Sequence, residues 1–160
     1  MVKLFFVLIV SYLIGSISPS IILGRILKGI DIRKYGSGNA GSTNAFRVLG
    51  KRAGIAVIMI DICKGYIAVR YISPLAGGQS ILSPIAVSIL SGFAAVTGHV
   101  WTIFHSFKGG KGVNTATGVL LALTPVPTIL AALIFLIVLF ITRYVSVGSI
   151  ISSLSLPVIL

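Results

Sequence analysis

Acidic residues are almost missing from this sequence. Asp31 and Asp61 are the only two in 160 positions, set against thirteen Lys and Arg, for a formal charge of +11 at neutral pH. Charge of any sign is scarce: 9% of residues carry one, where soluble domains have roughly a quarter. So little charge cannot clothe a water-facing surface, and with 56% hydrophobic residues and a mean hydropathy of +1.12 the chain is expected to be an integral membrane protein. Cysteine occurs once, at Cys63, which excludes an internal disulfide, a CxxC pair and a cysteine-based zinc site. No metal and no cofactor is expected. With so few carboxylates to neutralise the cations, the polar segments should attract anions: lipid headgroups, phosphate esters or nucleic acid. Nucleic acid is set aside, because the basic loops lack the interleaved aromatics of a stacking surface.

What the sequence has in quantity is long uncharged runs. A membrane span needs about 20 apolar residues, and Leu4 to Gly24 supplies the first as one helix. It continues too far past Ser16-Ile17-Ser18 to be a cleaved signal. Ala53 to Val69 is a second span, although Asp61 and Lys64 lie inside it three residues apart, on one helical face. After a loop around Pro74, Gly77-Gly78, Gln79 and Pro84, a third span runs from about Pro84 to Phe104. Gly112 to Thr142 is uncharged but interrupted by Thr124-Pro125-Val126-Pro127, where prolines break a helix, so two short spans are expected. Tyr144 to Leu160 makes a sixth. With Met1 outside, ten of the thirteen cations (Arg25, Lys28, Arg33, Lys34, Arg47, Lys51, Arg52, Lys108, Lys111, Arg143) face the cytoplasm, as the positive-inside rule requires. The expected architecture is a single all-α polytopic transmembrane bundle with glycine-rich loops and short helices on its cytoplasmic face.

Two such loops carry the chemistry. Gly36-Ser37-Gly38-Asn39-Ala40-Gly41 matches GxGxxG formally, with Asp61 at the spacing of a ribose-binding acid, but the dinucleotide fingerprint needs a strand before it and a βαβ unit around it. A membrane helix and a basic stretch precede these glycines instead. Their physical meaning survives: backbone N–H groups can approach an oxyanion with no Cβ in the way. Ser42, Thr43 and Asn44 are good N-cap residues for a short helix carrying Arg47, at whose start a phosphate can sit. In the second loop, Phe107-Lys108-Gly109-Gly110-Lys111-Gly112, glycine stands where a P-loop needs Ser or Thr, so no ATPase is implied. Two lysines around two glycines can still wrap an anion. Lys108 alone is as well explained as an ordinary interfacial cation, whereas three glycines framing Lys111 exceed what a turn requires.

Other polar residues have plainer readings. His99 and His105 flank Trp101; His105 fits an interfacial belt, while His99, inside a span, either orients a loop or binds substrate. Asp61 with Lys64 fits a neutralising ion pair better than a catalytic acid. Ser146 and Ser149 can bond back to helix carbonyls, though Ser149 lies at the same expected cytoplasmic face.

Taken together, Gly15-Ser16 with Pro19, GSGNAGSTNAFRVLGKR, DICKG and GHVWTIFHSFKGGKGV resemble the bacterial membrane family of acyl-phosphate:glycerol-3-phosphate acyltransferases, from the first span to Ser149. Each motif is weak alone; their order and spacing make the resemblance specific. It implies transfer of a fatty acyl chain from acyl phosphate to the 1-hydroxyl of sn-glycerol 3-phosphate, giving lysophosphatidic acid and inorganic phosphate in phospholipid synthesis, by a monomer in the bacterial inner membrane with its site facing the cytoplasm. It also implies functional roles for Ser37 and Arg47, with Asn39 and Asn44, in the first motif; for Lys111, cradled by Gly109, Gly110 and Gly112, in the second; and for Ser149 in a third. Trp101-Thr102 departs from an aromatic-proline pair, and Asn114 stands where a small residue is common. Seven spans are expected in the family, whose pattern continues through a further span to a segment with a functional His and Asn; residues 1–160 are expected to lack these.

Both substrates implied by the resemblance are phosphates, so two anions must be held while a hydroxyl is brought to a carbonyl carbon. Arg47 and Lys111 are expected to clamp phosphate, with Lys108 as a weaker candidate. The amides of Gly36 to Gly41 and Gly109 to Gly112, with Ser37, are candidates for phosphate or oxyanion binding. The base is left open among Asp61, His99, His105, the substrate phosphate and the absent histidine. Two other classes compete: a transporter or channel for phosphate-like anions, which needs a polar stripe across the membrane, and a structural protein whose basic loops bind anionic lipids.

Overall fold

Apolar runs bounded by prolines, glycines and cations become helices, because in lipid every backbone N–H and C=O must be paired within its own segment. The computed structural model describes residues 2–77 and 82–159, and among these it contains helices and no strand. Eight α-helices follow one another: α1 Val2–Ser16, α2 Pro19–Lys28, α3 Ser42–Leu49, α4 Lys51–Ile67, α5 Pro84–Val100, α6 Val113–Leu123, α7 Pro125–Thr142 and α8 Val145–Ile159. α4 continues as a π-helical turn, Ala68–Ile72, and short 3-10 turns occupy Ile32–Lys34, Ser73–Ala76 and Ile103–His105. Val2–Lys28, Pro84–His105 and Pro125–Thr142 are long and apolar enough to cross a membrane by length and composition. α6 and α8 are shorter apolar helices.

The expected loop near Pro74 begins as the 3-10 turn Ser73–Ala76; residues 78–81 of that expectation, and Leu160 of the last span, lie outside the described residues. The break foreseen at Thr124-Pro125 is present, with Pro125 opening α7. The first apolar run differs from the single helix expected of it. Pro19 pushes the residue before it out of the helical region, so Ser18 is extended (φ −106°, ψ 93°) and α1 gives way to α2. The break leaves carbonyls unpaired inside the protein, and two long-range donors satisfy them: Thr102 Oγ1 donates to Ser16 O at 2.5 Å, and Lys64 Nζ to Ile17 O at 2.8 Å.

The chain forms two compact units that divide after Val119. In the first, α1 and α5 run parallel: Val7 and Val87 share a buried cluster with Ala76, and further along Gly15 lies directly against the Ala95 backbone. Gly98 meets Tyr12 O, and on another face Gly65 of α4 meets Thr115 O of α6 while Gly118 of α6 meets Ile62 O of α4. In lipid there is little hydrophobic drive between helices, so such small residues, which let backbones touch, supply the packing. A second buried cluster, Ile21, Ile32, Ala40, Ala45 and Val57, joins α2, α3 and α4 to the loop between them. The second unit, Leu120–Leu160, takes in the last residues of α6 and the α7–α8 pair, where Gly148 admits the Phe135 ring.

Candidate active site

The first glycine-rich loop is built around one amide. Asn44, 1% exposed, donates from Nδ2 to Ile32 O, Tyr35 O and Asn39 O at 3.0–3.2 Å and accepts from Ser37 N–H at 2.9 Å. Gly36 turns beside it at φ +61°, and a Cβ there would overlap the Asn44 carboxamide. Asn44 was expected among the phosphate ligands; with its amide saturated by the loop, it acts as the loop's keystone. Ser20 Oγ anchors the same loop by donating to Ala40 O at 2.7 Å.

The loop feeds α3, whose N-cap position is Gly41, with no side-chain cap. Ser42, Thr43 and Asn44, expected as caps, are instead its first turn. Their amides make no hydrogen bond among the described residues, the first bonded one being Ala45 N–H to Gly41 O. An uncapped N-terminus keeps its partial positive charge and its free donors.

The second loop folds back on the end of α5. Gly109 N–H donates to Val100 O at 3.0 Å and Gly110 N–H to His99 O at 3.1 Å, so these two amides, expected to cradle an anion, are used by the fold, as is Gly38 N–H, which donates to Tyr35 O. Gly110 is required by close approach: a Cβ would collide with His99 Nε2 and crowd Ala40 O. Gly112 turns the chain at φ +83° into α6. The amides of Lys111, Gly112, Val113, Asn114 and Thr115 remain without a hydrogen-bond partner among the described residues.

Three contacts stitch the loops together. Asn114 Nδ2, in the first turn of α6, donates to Ser42 Oγ, in the first turn of α3, at 2.9 Å. Gly110 packs at Ala40 O. Arg33 Nη1 donates to His105 O at 2.8 Å and Lys108 O at 3.2 Å, while its Nη2 pairs with Asp31 at 2.7 Å. The Arg33 hydrogen bonds hold the Asp31 carboxyl down at about 2, and Asp31 in turn raises Arg33. Two helix N-termini therefore meet, each preceded by a glycine-rich loop; Ser37, Thr43, Lys108 and Lys111 are exposed in these loops and first turns, and Arg47 is exposed in the last turn of α3. No carboxylate is free to neutralise them, since Asp31 is paired with Arg33 and Asp61 with Lys64.

Asp61 and His99 are 1% and 5% exposed, which removes both as bases reaching a substrate hydroxyl. Lys64 Nζ lies 2.8 Å from Asp61 Oδ1, so the expected ion pair is present. Ser149 Oγ donates to Val145 O at 3.0 Å, the plain helix back-bond its position allowed; it belongs to the second unit. Sequence reasoning missed Arg33 and Ser20 and took Asn114 only as a departure. Their partners lie 20 to 75 residues away, beyond any local periodicity.

Residues 5–160 match the family described as glycerol-3-phosphate acyltransferase. The chain is 53% identical to the glycerol-3-phosphate acyltransferase of Chlorobium phaeobacteroides (strain BS1), over all of this chain and 70% of that protein. It is 52% identical to that of Chlorobaculum tepidum, over 96% of this chain and 68% of that one. Among solved structures it is similar to the glycerol 3-phosphate form of PlsY, an integral membrane glycerol 3-phosphate acyltransferase (TM-score 0.84, 39% identity, 96% of this chain and 74% of that chain). The lysophosphatidic acid form of the same enzyme superposes with a TM-score of 0.81 at 38% identity, over 96% and 73% of the two chains.

Proposed function

The chain belongs to the glycerol-3-phosphate acyltransferase family, and from that premise we propose that it moves an acyl chain from acyl phosphate to the 1-hydroxyl of sn-glycerol 3-phosphate, releasing lysophosphatidic acid and inorganic phosphate at the cytoplasmic face of the bacterial inner membrane. One observation carries the reading: the Ser42–Asn114 hydrogen bond, which brings two uncapped helix N-termini together. Two positive helix ends with no carboxylate to spare, with Lys108 and Lys111 exposed in the loop that enters α6 and Arg47 exposed on α3, call for an anion from outside the chain. A phosphate monoester supplies the charge, and a site with two such ends has donors for two phosphates.

Arg47 grips one phosphate with its planar fork, and Lys111 holds the other from the loop entering α6. The free amides of Ser42 and Thr43, and of Lys111 to Thr115, are the donors available to phosphate oxygens and to the oxyanion that develops on the carbonyl. Ser37, Asn39, Gly36 and Gly41 line the approach in the first loop. Transfer is direct: the acceptor oxygen forms the new ester bond to the carbonyl carbon, the bond from that carbon to the phosphate oxygen breaks, and the departing phosphate takes the hydroxyl proton. Acyl phosphate is already activated, so no covalent intermediate on the protein is required. Ser149 is proposed as a further contributor by the resemblance alone.

The decisive experiment supplies detergent-purified protein with acyl phosphate, with and without glycerol 3-phosphate, and follows phosphate release. Release that depends on the acceptor and falls by about 100-fold or more in Arg47→Ala and Lys111→Ala is the expected result. Release indifferent to the acceptor, or unaffected in both variants, would end this reading.

A further inference from the structure

Beneath the second glycine-rich loop lies a cluster of ionisable groups that the transfer chemistry does not use. Asp61, Lys64 and His99 are 1%, 4% and 5% exposed, in a part of the chain where an unpaired charge is costly. Lys64 Nζ lies 2.8 Å from three atoms at once: Asp61 Oδ1 on its own helix, His99 Nδ1 on α5, and Ile17 O at the break between α1 and α2. His99 Nδ1 also lies 3.3 Å from Asp61 Oδ1, so the ring edge that carries Nδ1 is held by both members of the ion pair. Nε2 is the edge that faces Gly110, so close that a Cβ there would collide with it. The carbonyl of the same histidine accepts Gly110 N–H, and its neighbour Val100 O accepts Gly109 N–H. His99 thus grips the loop from ring and backbone, and Lys64 fixes the rotation of that ring.

A pair needed only to neutralise charge would not require this. Asp61 with Lys64 satisfies neutrality alone; the contacts to His99 and to the helix break add geometry. The loop they support carries Lys111 and opens into the uncapped first turn of α6. Resting on the functional reading above, we propose that Asp61, Lys64 and His99 are positioning residues that set the seat of the Gly109-Gly110 segment and so aim Lys111 and the α6 N-terminus at the phosphate of glycerol 3-phosphate. They touch no substrate. Their effect is felt through the loop, and a displacement of about 1 Å there is enough to cost on the order of 100-fold.

Two variants separate positioning from neutralisation. Asp61→Asn/Lys64→Met removes both charges together, leaving no buried unpaired ion, and His99→Asn keeps the ion pair while removing the ring from Gly110. Positioning predicts that both raise KM for glycerol 3-phosphate by about 10- to 100-fold with a smaller change in kcat, the pattern of lost binding shared by ground and transition states. It also predicts faster amide hydrogen exchange in a peptide covering residues 105–115, with peptides from α7 unchanged. If His99→Asn, or the double variant, keeps both the parental KM and the parental exchange, the cluster only neutralises charge and the proposal is overturned. The exchange measurement needs no turnover, so it decides this inference even if the parent protein shows no acceptor-dependent phosphate release, a result that would count against the functional reading instead.

Discussion

Asn44 and Thr43 are adjacent in the first turn of α3, yet one is buried and the other exposed, and their substitutions should separate cleanly. Asn44→Ala leaves Asn39 O and the Ser37 amide without a partner and takes one of two donors from Ile32 O and Tyr35 O; it is expected to destabilise by about 2 to 4 kcal/mol, read as a lowered thermal midpoint and faster proteolysis between residues 31 and 44. Thr43→Ala should stay within about 0.5 kcal/mol and show any effect in substrate binding. Asp31 gives a pH prediction. The Arg33 hydrogen bonds hold its carboxyl down to about 2 in the folded protein, below the ordinary 3.8, so the Asp31–Arg33 contribution is fully present above the unfolded value and is lost as pH falls from about 4 towards 2. The thermal midpoint of the parent should drop through that window more steeply than that of Asp31→Asn, and the two should run parallel above pH 5. Of these roles, the sequence disclosed the residue types suited to anions; it could not disclose that Asn44 faces inward, because a helix of eight residues presents Asn44 and Arg47 on positions that only the neighbouring loop distinguishes.

Helices in this chain are interrupted where carbonyls are needed elsewhere. The break before Pro19 is the clearest case: a straight helix would bond Ser16 O and Ile17 O internally, whereas here Thr102 and Lys64 reach them from α5's end and from α4. Thr102→Val keeps the shape and removes the donor, so it should cost about 1 to 3 kcal/mol, measured by denaturation in detergent. The same substitution should leave KM for glycerol 3-phosphate nearly unchanged, unlike His99→Asn. Proline at position 19 made the break readable in principle; the uninterrupted apolarity from Leu4 to Gly24 hid it, because hydropathy records transfer into lipid and not backbone pairing. The break at Pro125 was read correctly because two prolines stood together between Thr124 and Thr128.

For the molecule as a whole, the parallel run of α1 and α5 requires the chain to recross between them, and α4 is the helix available to do so. With Cys63 replaced by serine, single cysteines at Lys51 and Leu75, both exposed, should react with impermeant maleimide from opposite faces of sealed vesicles, Lys51→Cys from the cytoplasmic face. Labelling of both from one face would refute the topology. Composition by itself determined membrane residence, all-helical architecture, the surplus of cations and the positions of the glycine-rich loops, since these follow from transfer free energies and from what glycine and proline permit locally. The order of the motifs determined the family. Only the tertiary structure decided which glycine amides are free and which are consumed by Tyr35, His99 and Val100, that Asn114 joins α6 to α3, and that His99 serves the loop from below. Those outcomes depend on contacts between residues far apart in the chain, whose energies arise when the helices pack and which no local pattern records.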